Sequence, residues 1–572
     1  MKNRDIAQEL NEIAEIMEIQ EIQWKPRAYR SAARKIENLS ENLEDIYKQQ
    51  GKKGLENIPS IGKKLSQHIA DLINRGKVKK WDKLRKKSVP GLHELLHIEG
   101  LGPKKVKKLF SELNIRNIDN LQQAAQNNQI RELSGFGRKS EQNILKSINR
   151  YKKSNKRMLL DQAWTLAGEV INFLQDNAEI KKIDAAGSLR RMKETVGDID
   201  ILSVSSKPEK LMETLANIPN KQRILVQGKT KTSLLLKEGI QVDLRCIDEK
   251  SYGAALVYFT GSKSHNIELR KIAVDKGYKL SEYGLFPKQS KKLIAGSSEK
   301  EIYQKLGINW IPPELRENRG ELEKFSQNNL PKLIELKHIR GDLQMHTTYS
   351  DGHNSIREMA EKASDLGYDY ICITDHSKSE RIAKGMKESK IKKQWKEIEK
   401  INKTEQLKIL KGAEVNILDD GTLDYENELL EKLDVVLIAV HSGFKSTKAK
   451  MTKRILKALD NNYVNILAHP TGRKIFQREG YKADFDEIFK KCKQKKVAVE
   501  INSDPIRLDI NDRMILRAKE IGVKFSLGTD AHTQSSLENI RYGVGQARRG
   551  WLEKNDVINT LTYKQLLIFL KK

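Results

Sequence analysis

Two aspartates one residue apart, Asp198 and Asp200, open the apolar run Asp-Ile-Asp-Ile-Leu, and a Gly187-Ser188 pair lies upstream of them. In a β-strand alternate residues face the same side, so both carboxylates would project together while Ile199 and Ile201 pack behind. A third acid, Asp243 in Gln241-Val-Asp-Leu-Arg, would stand on a neighbouring strand. Three such carboxylates can hold two Mg²⁺ ions, one lowering the pKa of a 3′-hydroxyl and the other clamping a triphosphate with its leaving pyrophosphate. The Gly-Ser turn offers backbone N–H groups and a hydroxyl to phosphate oxygens, Arg191 offers a charged fork, and Gly197 adjoins the first acid. An isolated Asp-x-Asp is more often an ordinary solvated pair. The Gly-Ser turn before it and the third acid after it favour nucleotidyl transfer.

A second set of chemistry-bearing residues lies toward the C-terminus, where six of the 11 histidines follow residue 340. The candidates are His346, Asp351, His376 in Ile-Thr-Asp-His, Glu414 in Gly-Ala-Glu-Val, His441 in Val-His-Ser, His469 in Ala-His-Pro, and Asp530 with His532 in Gly-Thr-Asp-Ala-His. Several stand directly at the ends of apolar runs, where barrel enzymes carry their chemistry. Mixed imidazole and carboxylate ligands suit Zn²⁺, Mn²⁺ or Fe²⁺, and clustered ions could activate water against a phosphoester. One histidine of this kind is more often a hydrogen-bonded polar group, a reading that the whole set resists.

Three related strings in the N-terminal part, Ile58-Pro-Ser-Ile-Gly62-Lys-Lys64, Ile98-Glu-Gly100-Leu-Gly102-Pro-Lys-Lys and Leu133-Ser-Gly135-Phe-Gly137-Arg-Lys, read as helix-hairpin-helix units. Their glycines let the backbone turn tightly, so that N–H groups at the next helix start face a phosphate. Such contacts carry no base information. One copy could be a plain glycine turn; three in one basic block favour DNA. The first copy is degraded, with Ser60 where the others have Gly100 and Gly135.

These residues must be positioned by several domains, since 572 residues exceed one ordinary core. The formal charge is +29, from 106 Lys plus Arg against 77 Asp plus Glu, so the favoured partner is a polyanion. No run of about 18 apolar residues and no signal-peptide pattern is found. The expectation is therefore no membrane partner and a cytoplasmic, nucleoid-associated location. Cys246, Cys372 and Cys492 are too few and scattered for disulfides or a cysteine zinc site. Residues 1–153, with 32 Lys/Arg against 19 Asp/Glu, read as all-helical. Glu9, Glu12, Glu15, Glu18 and Glu21 form a ridge read as solvated surface on the first helix. Residues 160–245 read as an α/β block, with a helix over 159–175 and strands over 183–186, 198–204 and 240–247. A break at Trp310, Pro312 and Pro313 marks a boundary. Beyond 338, apolar runs at 370–374, 435–440, 464–467, 497–501 and 524–527 alternate with helical stretches, which suggests an α/β barrel.

The string from Gly187 to Leu202 is followed by Tyr258-Phe-Thr-Gly-Ser-Lys-Ser-His-Asn266 and Arg270, and together they resemble DNA polymerase family X, the family of polymerase beta, over about residues 1–315. The C-terminal set resembles the PHP domain, a distorted barrel with three metal ions, over about 338–572. The resemblance implies a small helical 5′-phosphate or lyase-like domain (1–85), helix-hairpin-helix fingers (86–153), a nucleotidyltransferase palm (154–247), a thumb (248–315), a linker (316–337) and the PHP barrel (338–572). It implies catalytic Asp198, Asp200 and Asp243. Gly187, Ser188, Arg191 and Gly197 would bind the triphosphate, with Tyr258, Phe259 and Gly261 along the sugar. Asn266 would sit near the incoming base and Arg270 near the template. Trp24-Lys25-Pro-Arg-Ala-Tyr29-Arg30 resembles the 5′-phosphate pocket, but the lysine that forms an imine in that family falls on His68. An imidazole cannot form that bond. Binding of a 5′-phosphate through Lys25, Tyr29 and Lys64 is carried over, and lyase activity is not.

Two further departures stand out. Gln241 replaces an arginine two residues before the third aspartate, and the opening His-x-His of the PHP domain reads Gln344-Met-His346. An amide oxygen is a weaker donor and should loosen one metal position. Asp375, Arg473 and Glu500 are expected as supporting or substrate groups. The reading is a gap-filling polymerase with a 3′–5′ exonuclease or 3′-end phosphoesterase, using Mg²⁺ in the palm and Mn²⁺ or Zn²⁺ in the barrel. A monovalent cation has room at the hairpins. The partners are gapped or nicked DNA and dNTP, the chain acting as a monomer. The alternatives are a template-independent nucleotidyltransferase and a DNA-binding scaffold with an inactive PHP domain.

Overall fold

The computed structural model describes residues 3–20, 22, 25–37, 43–58, 60–87, 89, 92–98, 100–154, 157–325 and 330–571. Glu21, Trp24, Pro59 and Glu99, named above, lie outside the described residues. The chain divides into two compact units, residues 1–155 and 156–572.

The first unit is helical, as its pattern predicts. Its first helix, Asn3–Ile19, buries Ile6, Leu10, Ile13 and Met17, spaced to line one face. The glutamate ridge on this helix is not simply solvated. Arg85 binds Glu12 at 2.9 Å and also Glu9, and Arg30 binds Glu18 at 2.8 Å. The correction has a packing cause: the helices Lys25–Glu37 and Lys79–Lys87 bring cations against the ridge. The helix Lys79–Lys87 is anchored by Trp81, which is fully buried.

Each hairpin reverses through a positive φ, +90° at Gly100, +85° at Gly135 and +75° at Ser60. Glycine adopts this region freely, whereas a serine there costs roughly 1–2 kcal/mol. The degraded first copy therefore keeps the turn at a strain, and Ser31 Oγ donates to Ser60 Oγ at 2.9 Å. The helices that follow are Lys63–Arg75, Pro103–Leu113 and Arg138–Ser154. Gly62 and Gly102 cap the first two without a side-chain acceptor. The first turns of these two helices therefore have no side-chain cap.

In the second unit a five-stranded sheet runs in the order Lys182–Ala185, Asp198–Val204, Gln241–Cys246, Lys231–Leu236, Lys221–Gln227. The last two strands are additional to those expected from sequence. Ile199 and Ile201 pack with the helices Leu160–Asn177 and Pro208–Ala216, while Leu202 and Val204 pack with Tyr252, Ala255 and Leu256 of the helix Tyr252–Thr260 on the other face. Beyond this sheet, the hairpin strands Tyr278–Ser281 and Gly284–Pro287 complete a small helical subdomain.

Seven parallel strands then form a nearly closed barrel in sequence order: Gly341–Met345, Tyr370–Ile373, Lys408–Asn416, Val435–Ala439, Ile466–Leu467, Ala498–Asn502 and Phe525–Gly528. Its seam is bridged by His346 N to Ala531 O (2.8 Å) and Asp530 N to Gln344 O (3.0 Å). Five strands match the apolar runs. The other two are Gly341–Met345, whose buried Asp342 and Gln344 break its hydropathy, and Lys408–Asn416, which Lys411 and Gly412 interrupt. The barrel is joined to the sheet by more than its linker. Leu508 and Tyr542 belong to the core of the five-stranded sheet, and Trp551 to that of the small subdomain.

Two candidate metal-dependent centres

In the five-stranded sheet, the parallel register sets Asp200 beside Asp243 and Asp198 beside Gln241, so the three acids share one face at the strand starts. Asp198 is exposed and Asp243 is buried. The Gly187 turn approaches so closely that a Cβ there would fall 2.5 Å from Asp200 Oδ2, and its φ is +62°. Only glycine fits. Burial, then the charges of Asp198 and Asp243, push the Asp200 carboxyl up to about 7, and burial with Asp243 raises Asp198 as well. Neighbouring carboxylates that cannot all ionise alone are a fit for divalent cations. Asp243 accepts from Ser233 Oγ and from Gln241 Nε2 at 2.9 Å. Gln241 thus spends its donor on the third acid. Ser233 was not legible from spacing, because it reaches Asp243 only through the cross-strand register.

Ser188 is half-buried in the short helix Gly187–Arg190, and Gly197 directly precedes the acid-bearing strand. Arg191 donates from Nε to Glu317 Oε1 (3.1 Å) and from Nη1 to the Thr260 carbonyl. Gly261, at the end of the helix Tyr252–Thr260, lies against it. The Tyr258 and Phe259 rings meet edge to face at 5.1 Å. Tyr258, Asn266 and Arg270 line one small pocket with Leu280 and Ser281. Asn266 Nδ2 donates to Tyr258 O at 2.7 Å, while its buried Oδ1 has no hydrogen-bond partner among the described residues.

The barrel gathers its residues more tightly. Glu414, fully buried, has Oε1 2.9 Å from His441 Nε2 and 2.8 Å from His469 Nε2. Its Oε2 lies 3.1 Å from Gln344 Nε2, 3.3 Å from His346 Nε2 and 3.6 Å from His376 Nδ1. Asp530 contacts His346 Nε2 at 3.0 Å, and Asp351 lies 3.4 Å from His532 and 3.8 Å from His376. The His346 ring stacks on those of His376 (4.4 Å) and His532 (4.5 Å). Three groups could each hold an ion: His346 with Asp351, His376 and His532; His376 with Glu414 and His441; His346 with Glu414 and Asp530. Such groups were found only in the barrel among the described residues.

The electrostatics follow from this packing. Burial opposes charge on Glu414, but the surrounding histidines hold its carboxyl well below the usual range. Burial likewise disfavours a charged His346, yet its bonds to Asp530 and Glu414 raise it well above an ordinary imidazole. Burial lowers His376 to about 3. Such a stack of buried imidazoles around carboxylates, with Gln344 Oε1 and several ring nitrogens lacking hydrogen-bond partners among the described residues, fits divalent cations.

The supporting groups divide. Asp375 accepts from Thr347 N and Oγ1 and from Gln394 Nε2 (2.6 Å), so it braces the loop after the first strand. Glu500 accepts from His469 N at 2.6 Å and is raised well above its usual range by burial and Asp530. Arg473 is a correction: its guanidinium binds Glu194 (2.6 Å), in the connection between the helix Gly187–Arg190 and the strand Asp198–Val204, and the Arg507 carbonyl, so it faces the polymerase side and not the cluster. Arg507, missed from sequence, holds Asp530 Oδ2 at 3.2 Å. It lies in the loop after Ala498–Asn502, where no spacing rule points to it.

In the helical unit, Lys25 and Lys64 are exposed, and the Tyr29 hydroxyl lies 3.0 Å from His68 Nδ1 and 3.4 Å from Trp81 Nε1. Burial lowers the His68 pKa.

Models of known families match four stretches: a helix-hairpin-helix domain at 1–78, a SAM-like helix-hairpin-helix tandem at 92–150, the DNA polymerase beta thumb at 255–317 and the PHP domain at 342–504. The chain is 38% identical to the DNA polymerase/3′-5′ exonuclease PolX of Bacillus subtilis over 576 residues, covering 100% of both. It is 34% identical to the repair DNA polymerase X of African swine fever virus over 162 residues, 27% of this chain and 89% of that one. It is 32% identical to a probable phosphatase of Thermoanaerobacter over 231 residues, 38% of this chain and 90% of that one.

Proposed function

This chain belongs to the PolX family, the family X DNA polymerases that carry a C-terminal PHP domain, and from that premise we propose that it fills short DNA gaps and trims 3′ ends. The observation that carries the reading is the register of Asp198, Asp200 and Asp243 on one face beside the Gly187 turn. These acids would hold two Mg²⁺ ions, which supply an acidified 3′-hydroxyl and a clamped triphosphate. Gly187, Ser188, Gly197 and Arg191 bind the triphosphate. Tyr258, Phe259 and Gly261 line the sugar, Asn266 meets the base and Arg270 the template side. The single pocket shared by Tyr258, Asn266 and Arg270 supports a templated reaction.

In the barrel, His346, Asp351, His376, Glu414, His441, His469, Asp530 and His532 would hold Mn²⁺ or Zn²⁺, with Gln344 at the weakest position. The ions would supply a nucleophilic water against the terminal 3′ phosphoester. Asp375 and Glu500 keep the strand ends in place. Gln344 points its amide nitrogen at Glu414, and taking up a metal there requires the amide to turn its oxygen inward.

Gly62, Gly100, Gly102, Gly135 and Gly137 hold the backbone of gapped or nicked DNA, and Lys25, Tyr29 and Lys64 the downstream 5′-phosphate. The domain bounds follow as 1–85, 86–153, 154–247, 248–315, 316–337 and 338–572, in a cytoplasmic monomer. Among the described residues no helix is long and apolar enough to cross a membrane. Primer extension on gapped DNA, run with and without dNTP, tests both centres. Extension with dNTP and 3′ shortening without it are expected; a protein that does neither with Mg²⁺ or Mn²⁺ overturns the reading.

A further inference from the structure

Arg191 is held by side chains from both the thumb border and the barrel. Its Nε binds Glu317 Oε1 at 3.1 Å and its Nη1 the Thr260 carbonyl, while Nη2 has no hydrogen bond among the described residues. The same Glu317 Oε1 accepts from Arg549 Nη1 at 3.0 Å. Arg549 ends the barrel helix Ile540–Arg549 and is 1% exposed. Its Nη1 also donates to the Arg191 carbonyl at 2.7 Å, and its Nη2 to Asp512 Oδ2. Asp512 is shared in turn with Arg319 at 2.8 Å.

A carboxylate divided between two guanidinium groups holds each less firmly than it would hold one alone. Arg549 therefore has two effects on Arg191. It ties down the main chain of the turn that follows Gly187-Ser188, and it draws off part of the Glu317 charge that would otherwise compete with an anion for the Arg191 side chain. We propose that Arg549 of the barrel is a positioning residue for the polymerase's nucleotide site, setting Arg191 through Glu317 so that the C-terminal domain is a working part of DNA synthesis. The inference rests on the assignment of Arg191 to the triphosphate.

Gap filling by the full-length protein with dNTP varied reads this role. Arg549→Met should raise KM for dNTP about tenfold with kcat changed by less than about threefold, the split expected when ground-state binding is lost. Glu317→Gln placed in that background removes the unopposed carboxylate and should restore most of the KM, which also relieves any folding defect caused by an unpaired buried charge. Arg549→Lys keeps a charge but cannot fork to Glu317 and Asp512 together, and should recover only part. If Arg549 acts through Arg191, Arg549→Met adds nothing to the KM of Arg191→Ala. A KM for dNTP unchanged in Arg549→Met and Arg549→Lys, or a rise that persists in full on top of Arg191→Ala, overturns the proposal. Arg191→Ala alone tells the two readings apart. An unchanged KM there removes the triphosphate assignment, whereas a raised KM beside a normal Arg549→Met removes only the positioning role.

Discussion

In the palm, Asp198 stands exposed with Asp200 and Asp243 on one face of an open sheet, and the neighbouring charges raise the cost of ionising Asp198 and Asp200. In the barrel, Glu414 is sealed from solvent and ringed by four imidazoles and an amide. The contrast separates a site that becomes favourable when cations arrive with a charged substrate from one whose ligands hold each other in place beforehand. The palm pays for its open face in repulsion between carboxylates. In the barrel, metal binding would instead be coupled to proton release, since the bonds of His346 to Asp530 and Glu414 raise its pKa well above that of an ordinary imidazole.

The largest expected effect breaks the two centres apart. Asp198→Ala or Asp243→Ala should cut primer extension by on the order of 10³-fold or more, because a ligand to the reacting metal is lost. Fluorescence anisotropy should show gapped-DNA affinity nearly intact, since the hairpins hold the backbone elsewhere. Undiminished synthesis would remove the palm assignment.

The mirror experiment is His376→Ala or Asp530→Ala, expected to lower 3′ hydrolysis by on the order of 10²-fold while synthesis continues. Loss of synthesis in His376→Ala would show that the centres are not divided as described.

Next in size is Gln344→His, which would supply the imidazole that the barrel lacks. The Mn²⁺ concentration for half-maximal hydrolysis should fall about tenfold, in line with the effect of a restored ligand on metal affinity. No shift with metal would mean that Gln344 does not face an ion.

The smallest effect tests the palm's repulsion directly. Asp200 titrates near 7 in the folded, metal-free protein, far above an unfolded aspartate near 3.9. Between about pH 4 and 7 the folded chain keeps a proton that the unfolded chain has released, so stability falls as pH rises through that window and levels off above it. Asp200→Asn removes this loss. With chelator present, its melting temperature should exceed wild type by a few degrees at pH 8 and by much less at pH 4.5. Equal differences at both pH values would mean that the carboxyl is not perturbed.

The sequence by itself determined the architecture and marked both clusters of candidate residues, because each rests on local patterns. Alternation puts Asp198 and Asp200 on one face, glycine spacing marks the hairpins, and apolar runs ending in His or Asp mark the barrel mouth. It missed the strand Gly341–Met345 because that strand's buried Asp342 and Gln344 are polar. Only the tertiary structure decided which partners meet across distance. Ser233 and Gln241 reach Asp243 through sheet register, Arg507 reaches Asp530 from a loop, and Arg473 turns to Glu194. Arg549 meets Glu317 across 232 positions of chain. Periodicity and propensity carry no signal at such separation. The last two pairings, Arg473 with Glu194 and Arg549 with Glu317, accompany the common burial of Leu508, Tyr542 and Trp551 between barrel and polymerase, where a buried charge without a partner is costly.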